Sequence, residues 1–347
     1  MTDMKLPTDP REVTRRAKHL RRRGKIHQAR ELLETALEKW PTNIFFWNML
    51  ISCCGDHPER GEALIQRMQE AGVQPDRTSY STLANAYAIA GEPGAAENVL
   101  SRMEERDLHA NIVTFGAVLK AYAITKDPAG AERVLRRMEE KGVRPDVAAY
   151  TTVVNAYAKA GDPEGAEKTV SKMTERRVRP NAKTLVTLMN AYANAGDPDG
   201  TERTLERMQE HGMRPNITAL NTLLKAYARA QNTEGAERTL SAIQDLSMTP
   251  NETTYKTLMT AYLDAGDLQG AESLLERVKS EDCPLEPPVV SALEDRLRWK
   301  QSCSKLIERL HQTDEPSGIW ARFVAFWQAV GQWIRNILPG SAGQSNN

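Results

Sequence analysis

Six cations recur at equivalent places along a 35-residue period: Lys120, Lys159, Lys183, Lys225, Arg229 and Lys256. They fall on positions 2, 5, 9 and 13 of units that start at 77, 112, 147, 182, 217 and 252. In a helix those four positions share one stripe. Asp264 is the only acid on it, so the stripe carries net +5 in a chain whose formal net charge is zero. Glu97, Glu132, Glu167, Glu202, Glu237 and Glu272 recur at another position and supply countercharge. A cationic stripe with acids segregated behind it is suited to holding a polyanion. Covalent chemistry finds no comparable constellation. His19, His27, His57, His109, His211 and His311 are scattered, with no HxxxH or HxE spacing. No phosphate-cradling GxxxxGK[ST] and no nucleophile elbow is present, and the four cysteines have no CxxC spacing. The sequence therefore predicts neither enzyme nor metal site, and no cofactor or small-molecule substrate.

The elements that position the stripe follow from the repeat itself. Tyr87, Tyr122, Tyr157, Tyr192, Tyr227 and Tyr262 stand 35 residues apart inside near-identical words such as AYAKAGDPEGAE. A fixed period of this size means stacked supersecondary units. In 147–181, apolar Tyr150, Val153, Val154, Tyr157 and Ala158 follow i, i+3, i+4, i+7, i+8, which predicts an amphipathic helix. Gly161 ends it, Asp162 caps the next helix and Pro163 suits its first position. Ala166, Val170 and Met173 line that second helix, and Pro180 stops it. The recurrent small residues Gly165 and Ala166 predict close approach of the paired helices.

Six full units run 77–111, 112–146, 147–181, 182–216, 217–251 and 252–286. A seventh, 44–76, is two residues shorter, which predicts a tighter turn between its helices. These units resemble pentatricopeptide repeats of the P type, through their length, openings such as YSTL at 80–83, the mid-repeat glycine and closings such as GVRPD at 142–146. The segment 1–43 resembles a tetratricopeptide hairpin, with Gly24, Ala29, Ala36 and Pro41 at that spacing. It is expected to cap the array. Its first 25 residues hold nine Lys/Arg against three Asp/Glu, a faint organellar-presequence signal that the hairpin reading outweighs. Residues 287–312 predict a capping helix. Residues 318–338 predict a tryptophan-rich amphipathic helix, a cover for the solenoid or a surface-binding segment, and 339–347 a disordered tail. No apolar run approaches the ~18 residues of a transmembrane segment. The cysteine usage points to an intracellular, reducing setting: organelle matrix or bacterial cytoplasm.

The resemblance implies an all-α, right-handed superhelical solenoid whose first helices line its inner surface. It also implies sequence-selective binding of single-stranded RNA, one base per repeat, in RNA processing, stability or translation, without catalysis of its own. In the family the fifth and last residues of a repeat choose the base. Carried over, Asn48 with Asp76 is a pair for U. Ser81 with Asn111 and Thr151 with Asn181 are pairs for A. Gly116 with Asp146 leans to G. Val186 with Asn216 lacks a polar group at the fifth position, and Asn221 with Asn251 is a pyrimidine pair. The implied target is close to 5′-U-A-G-A-N-Y-3′. Lys256 departs from the pattern and is assigned to phosphate. The competing reading is a protein-interaction scaffold, with the N-terminal hairpin or the 318–338 helix meeting a protein partner. For a scaffold, the closing Asp and Asn residues would serve only as turn formers.

Overall fold

A computed structural model of the chain describes residues 6–55, 57–279 and 287–311. These residues contain seventeen helices and no strand. They fall into two compact units, one up to Ala226 and one from Tyr227. The first holds six hairpins: α1 (Pro10–Arg22) with α2 (Ile26–Lys39), α3 (Ile44–Ser52) with α4 (Pro58–Glu70), α5 (Arg77–Ala90) with α6 (Pro93–Glu105), α7 (Ile112–Ile124) with α8 (Pro128–Glu140), α9 (Val147–Ala160) with α10 (Pro163–Glu175), and α11 (Ala182–Ala195) with α12 (Pro198–Glu210). Helix α13 (Ile217–Arg229) begins in the first unit and ends in the second. The second unit continues with α14 (Thr233–Asp245), α15 (Glu252–Ala265), α16 (Leu268–Lys279) and α17 (Pro287–His311). The helix expected at 318–338 and the tail at 339–347 lie outside the described residues.

Each hairpin is built by its own punctuation. In 147–181, Gly161 ends α9 in the left-handed conformation, φ +77°, which costs a glycine nothing. Asp162 then accepts a hydrogen bond from the Gly165 amide at 2.8 Å, and Pro163 starts α10 with its missing N–H at a place that needs none. Asp127, Asp197 and Asn232 cap their helices through the same bond. The short repeat 44–76 departs from the tighter turn expected of it. Its first helix has only 9 residues, against 14 in α5, and α3 ends at Ser52 with α4 starting only at Pro58, whereas α5 ends at Ala90 and α6 starts at Pro93. Cys53 and Cys54, directly after the shortened helix, are buried.

In the first unit the odd-numbered helices form one layer: α3 packs on α5, α5 on α7, α7 on α9 and α9 on α11. From α2 to α10, each second helix packs on its own first helix and on the next one. Tyr80, Phe115 and Tyr150, the rings at the fourth position, are fully buried between layers, with Met68, Met103, Met138 and Met173 beside them. Burying a side chain of this size contributes about 1.5–3 kcal/mol. In the second unit α17 covers α15 and α16 with Leu293 and Leu297, and Arg296 donates to the Thr260 hydroxyl at 2.9 Å.

The recurrent tyrosine and the recurrent glutamate, read separately in the sequence, meet in space. The Tyr87 hydroxyl donates to Glu62 of the preceding repeat at 2.8 Å, and Arg102 reaches the same carboxylate. Tyr192 and Arg207 meet at Glu167, and Tyr262 and Arg277 meet at Glu237. Tyr122 donates to Glu97, with Arg133 on both. Glu62, Glu97, Glu167 and Glu237 are therefore clasps between repeats rather than spare countercharge. The small residue beside them has a related role. A Cβ on Gly130, Gly165 or Gly200 would lie 2.2–2.3 Å from the ring of Tyr122, Tyr157 or Tyr192 in the same repeat. Close approach here means a tyrosine ring laid against the second helix.

Candidate nucleic-acid interface

The closing residue of each repeat is the N-cap of the next first helix. Asp146 accepts from the Ala149 amide at 2.8 Å, Asn181 from Thr184 at 2.9 Å and Asn216 from Ala219 at 2.9 Å. Asp76, Asn111 and Asn251 do the same for α5, α7 and α15. The cap fixes which atom points away. With Oδ1 turned into the helix, an asparagine presents its Nδ2 amide, a donor, and an aspartate presents its second carboxylate oxygen, an acceptor. Asp146, Asn181, Asn216 and Asn251 are exposed, and Asp76 and Asn111 half-buried.

The fifth residues lie one helical turn away from these caps, on the odd-numbered layer. Asn48 donates from Nδ2 to Asp76 Oδ1 at 3.1 Å, so this pair touches directly. Ser81 bonds the Thr114 hydroxyl at 2.6 Å, and Thr114 sits 3.1 Å from Asn111 Oδ1. Thr151 bonds the Thr184 hydroxyl at 2.8 Å, and Thr184 sits 3.0 Å from Asn181 Oδ1. Three of the sequence-predicted pairs are thus brought together, two of them through an intervening hydroxyl. Gly116 and Val186 offer no side-chain donor or acceptor to Asp146 and Asn216. Asn221 is half-buried on α13.

Among the cations, Lys120, Lys159 and Lys183 are exposed on α7, α9 and α11. Lys225 is half-buried and donates to Asn194 Oδ1 at 2.6 Å, and Lys256 pairs with Glu252 one turn back on α15. Arg229 is exposed at the end of α13. Two large apolar side chains on the same positions stand out in water: Phe45, 70 % exposed, and Val113, 65 % exposed, both at the second position. Ile89 and Ile124, at position 13, are exposed as well. The sequence reading overlooked Phe45. Its signal was the run IFFW at 44–47, in which a short helix cannot bury every ring. An exposed aromatic face is a platform on which a base can stack.

Comparison with known families decides what this arrangement belongs to. A pentatricopeptide repeat domain model matches residues 63–125, 133–195, 183–230 and 203–259, and a PPR repeat model matches 113–143 and 253–283. The chain belongs to the pentatricopeptide repeat family. No curated protein gives a significant match. Among solved structures, the pentatricopeptide repeat protein PPR10 from maize is similar over 99 % of this chain and 55 % of its own, at 19 % identity and a TM-score of 0.57. PPR10 in complex with an 18-nt psaJ RNA element is similar over 90 % of this chain and 49 % of its own, at 20 % identity and a TM-score of 0.58. At these identities the likeness is one of fold, an α-solenoid of helical hairpins. The pentatricopeptide repeat chain spans about half the length of the solved chains it matches. No helix among the described residues is long and apolar enough to cross a membrane.

Proposed function

We propose that this pentatricopeptide repeat chain binds single-stranded RNA selectively, one base per repeat, and acts in RNA processing, stability or translation without catalysis of its own. The observation that carries the reading is the N-cap geometry. Each closing residue has one side-chain oxygen locked into a helix cap, and at Asp76, Asn111 and Asn181 it is joined to its fifth residue directly or through one hydroxyl. Uracil and guanine present a ring N–H on the Watson–Crick edge, and adenine and cytosine present a bare ring nitrogen. Outward carboxylate oxygens at Asp76 and Asp146 match the first class. Outward amides at Asn111, Asn181 and Asn216 match the second. That division supports U or G at the repeats ending in aspartate and A or C at those ending in asparagine. Further support comes from the solved relative of the same fold that carries an 18-nt RNA element.

On this reading the array is 44–286, with 1–43 and 287–312 as end covers. Lys120, Lys159 and Lys183 attend phosphates. Lys225 and Lys256, already engaged by protein atoms, contribute less. Buried free thiols at Cys53 and Cys54 suit a reducing compartment, an organelle matrix or a bacterial cytoplasm.

The test is a base swap in repeat 147–181. The chain already holds the template for it, since Asn48, Ser79 and Asp76 form the trio that Thr151→Asn with Asn181→Asp would create beside Thr184. The doubly substituted chain should prefer U over A at the fourth base of 5′-U-A-G-A-N-Y-3′ and keep its other preferences. Affinities for the four single-base variants decide it. RNA bound with no change in preference would mean the chain reads nothing. No RNA bound at all would leave the protein-scaffold reading.

A further inference from the structure

The third residue of the next repeat stands between the two proposed base-reading side chains. Thr184 is fully buried, and its hydroxyl lies 2.8 Å from Thr151 Oγ1 and 3.0 Å from Asn181 Oδ1. Ser79, also fully buried, donates to Asn48 Oδ1 at 2.6 Å and lies 3.0 Å from Asp76 Oδ1. Thr114 stands in the same relation to Ser81 and Asn111. The sequence repeats the rule. Where the fifth residue is polar, as at Asn48, Ser81, Thr151 and Asn221, the third residue of the next repeat is Ser79, Thr114, Thr184 and Thr254. Where it is apolar, at Gly116 and Val186, that residue is Ala149 and Ala219. A pure capping role would not produce this match, because Asp146 and Asn216 cap their helices onto an alanine amide as well as the others cap onto a serine or threonine.

We infer that this buried hydroxyl is a positioning residue for base selection, joining the fifth and closing side chains into one network. The inference rests on the RNA reading above and deepens it. A hydroxyl carries one proton. Thr151 has its own spent within the protein, on the Val147 carbonyl at 2.6 Å or on Thr184. Its remaining lone pair is therefore an acceptor. Thr184 adds a second bond to Asn181 Oδ1, which holds the amide donor outward. Acceptor and donor side by side match the N6 amino group and ring nitrogen of adenine. Satisfied buried networks hold their members in a single geometry, which is what discrimination between bases needs.

The experiment uses the full chain and the four variants of the oligonucleotide at the fourth base. Thr184→Val keeps the shape and removes the hydroxyl. Preference for A at that base should fall about fivefold, the scale of one net hydrogen bond, with preferences at the other bases and the salt dependence unchanged. Thr184→Ser should restore it. In the neighbouring repeat, Gly116→Thr with Ala149→Thr should sharpen selection at the third base more than Gly116→Thr alone. Unchanged selectivity in Thr184→Val, or an equal loss of affinity for all four variants, would overturn the inference while leaving RNA recognition standing. Failure of the unsubstituted chain to bind any of the oligonucleotides would instead remove the RNA reading itself.

Discussion

The Tyr87 hydroxyl donates to the carboxylate of Glu62, 25 residues earlier, at 2.8 Å. Arg102 closes on the same carboxylate, so one acid of a repeat holds a phenol and a guanidinium of the next. Neighbouring repeats are therefore joined by polar clasps set over an apolar core. Tyr87→Phe should cost about 1 kcal/mol, and Glu62→Ala about 2 kcal/mol because it strands both partners. Urea denaturation followed by helical circular dichroism checks both values. Equal stability of all three chains would show that the clasp is open in solution.

Alkaline pH should open the same clasps. Burial first, then the neighbouring glutamate, pushes Tyr87 and Tyr122 up to about 12, and Tyr150 reaches about 12 through burial and Glu139. An unfolded chain ionises tyrosine near ~10. Each folded tyrosine thus binds its proton more tightly than the unfolded one, so its contribution is complete below pH ~10 and is lost as pH rises towards 12. Tyrosinate absorbance and loss of helix should rise together across that window. Ionisation near pH 10 with helicity intact would contradict the clasp.

Gly165 and Gly116 should respond in opposite ways to the same substitution. A Cβ at Gly165 would meet the Tyr157 ring at 2.2 Å, whereas one at Gly116 meets nothing within 4 Å. Gly165→Ala should destabilise by about 1–3 kcal/mol through overpacking. Gly116→Ala, within helix α7, should stabilise by about 0.5–1 kcal/mol. Ala95 already occupies the place of Gly165 in repeat 77–111, and Tyr87 there is half-buried, as Tyr157 is. The lower figure is therefore expected if Tyr157 can swing outward. Thermal unfolding of the two variants separates the cases.

The exposed cations divide from the engaged ones in their effect on RNA binding. Lys120→Gln and Lys159→Gln should each weaken all sequences alike and reduce the salt slope by about one. Lys256→Gln should change it less, since Glu252 already neutralises that charge. Titrations at several salt concentrations read the difference. A larger loss at Lys256 than at Lys120 would displace the phosphate track from α7 and α9.

The hairpins were legible because their signals are local. Gly161, Asp162 and Pro163 act on the backbone beside them, and Tyr150 and Val153 need only a helical period. The clasps were not legible from one repeat. Tyr122 and Glu97 each recur plainly, but their meeting depends on how far one hairpin advances past the next. The constant offset of 25 residues between them was the available clue. The candidate interface was legible to the extent that family resemblance named its fifth and closing positions. Thr184 stayed invisible because a threonine in the first turn of a helix looks like routine capping. Its contact with Thr151 crosses between repeats and appears only in three dimensions.

The N-cap geometry has a consequence for how such a chain can change its target. Aspartate and asparagine cap a helix about equally well, whereas alanine in their place costs about 0.5–2 kcal/mol. An exchange between the two acceptable residues reverses the outward group from acceptor to donor and leaves the fold's free energy almost untouched. On the proposed reading, retargeting by this route is nearly neutral for folding, so a lineage would drift from one target to another without crossing an unstable intermediate. Serine caps as well but spends its one oxygen on the cap, so on the proposed reading only aspartate and asparagine keep a second polar atom for a Watson–Crick edge.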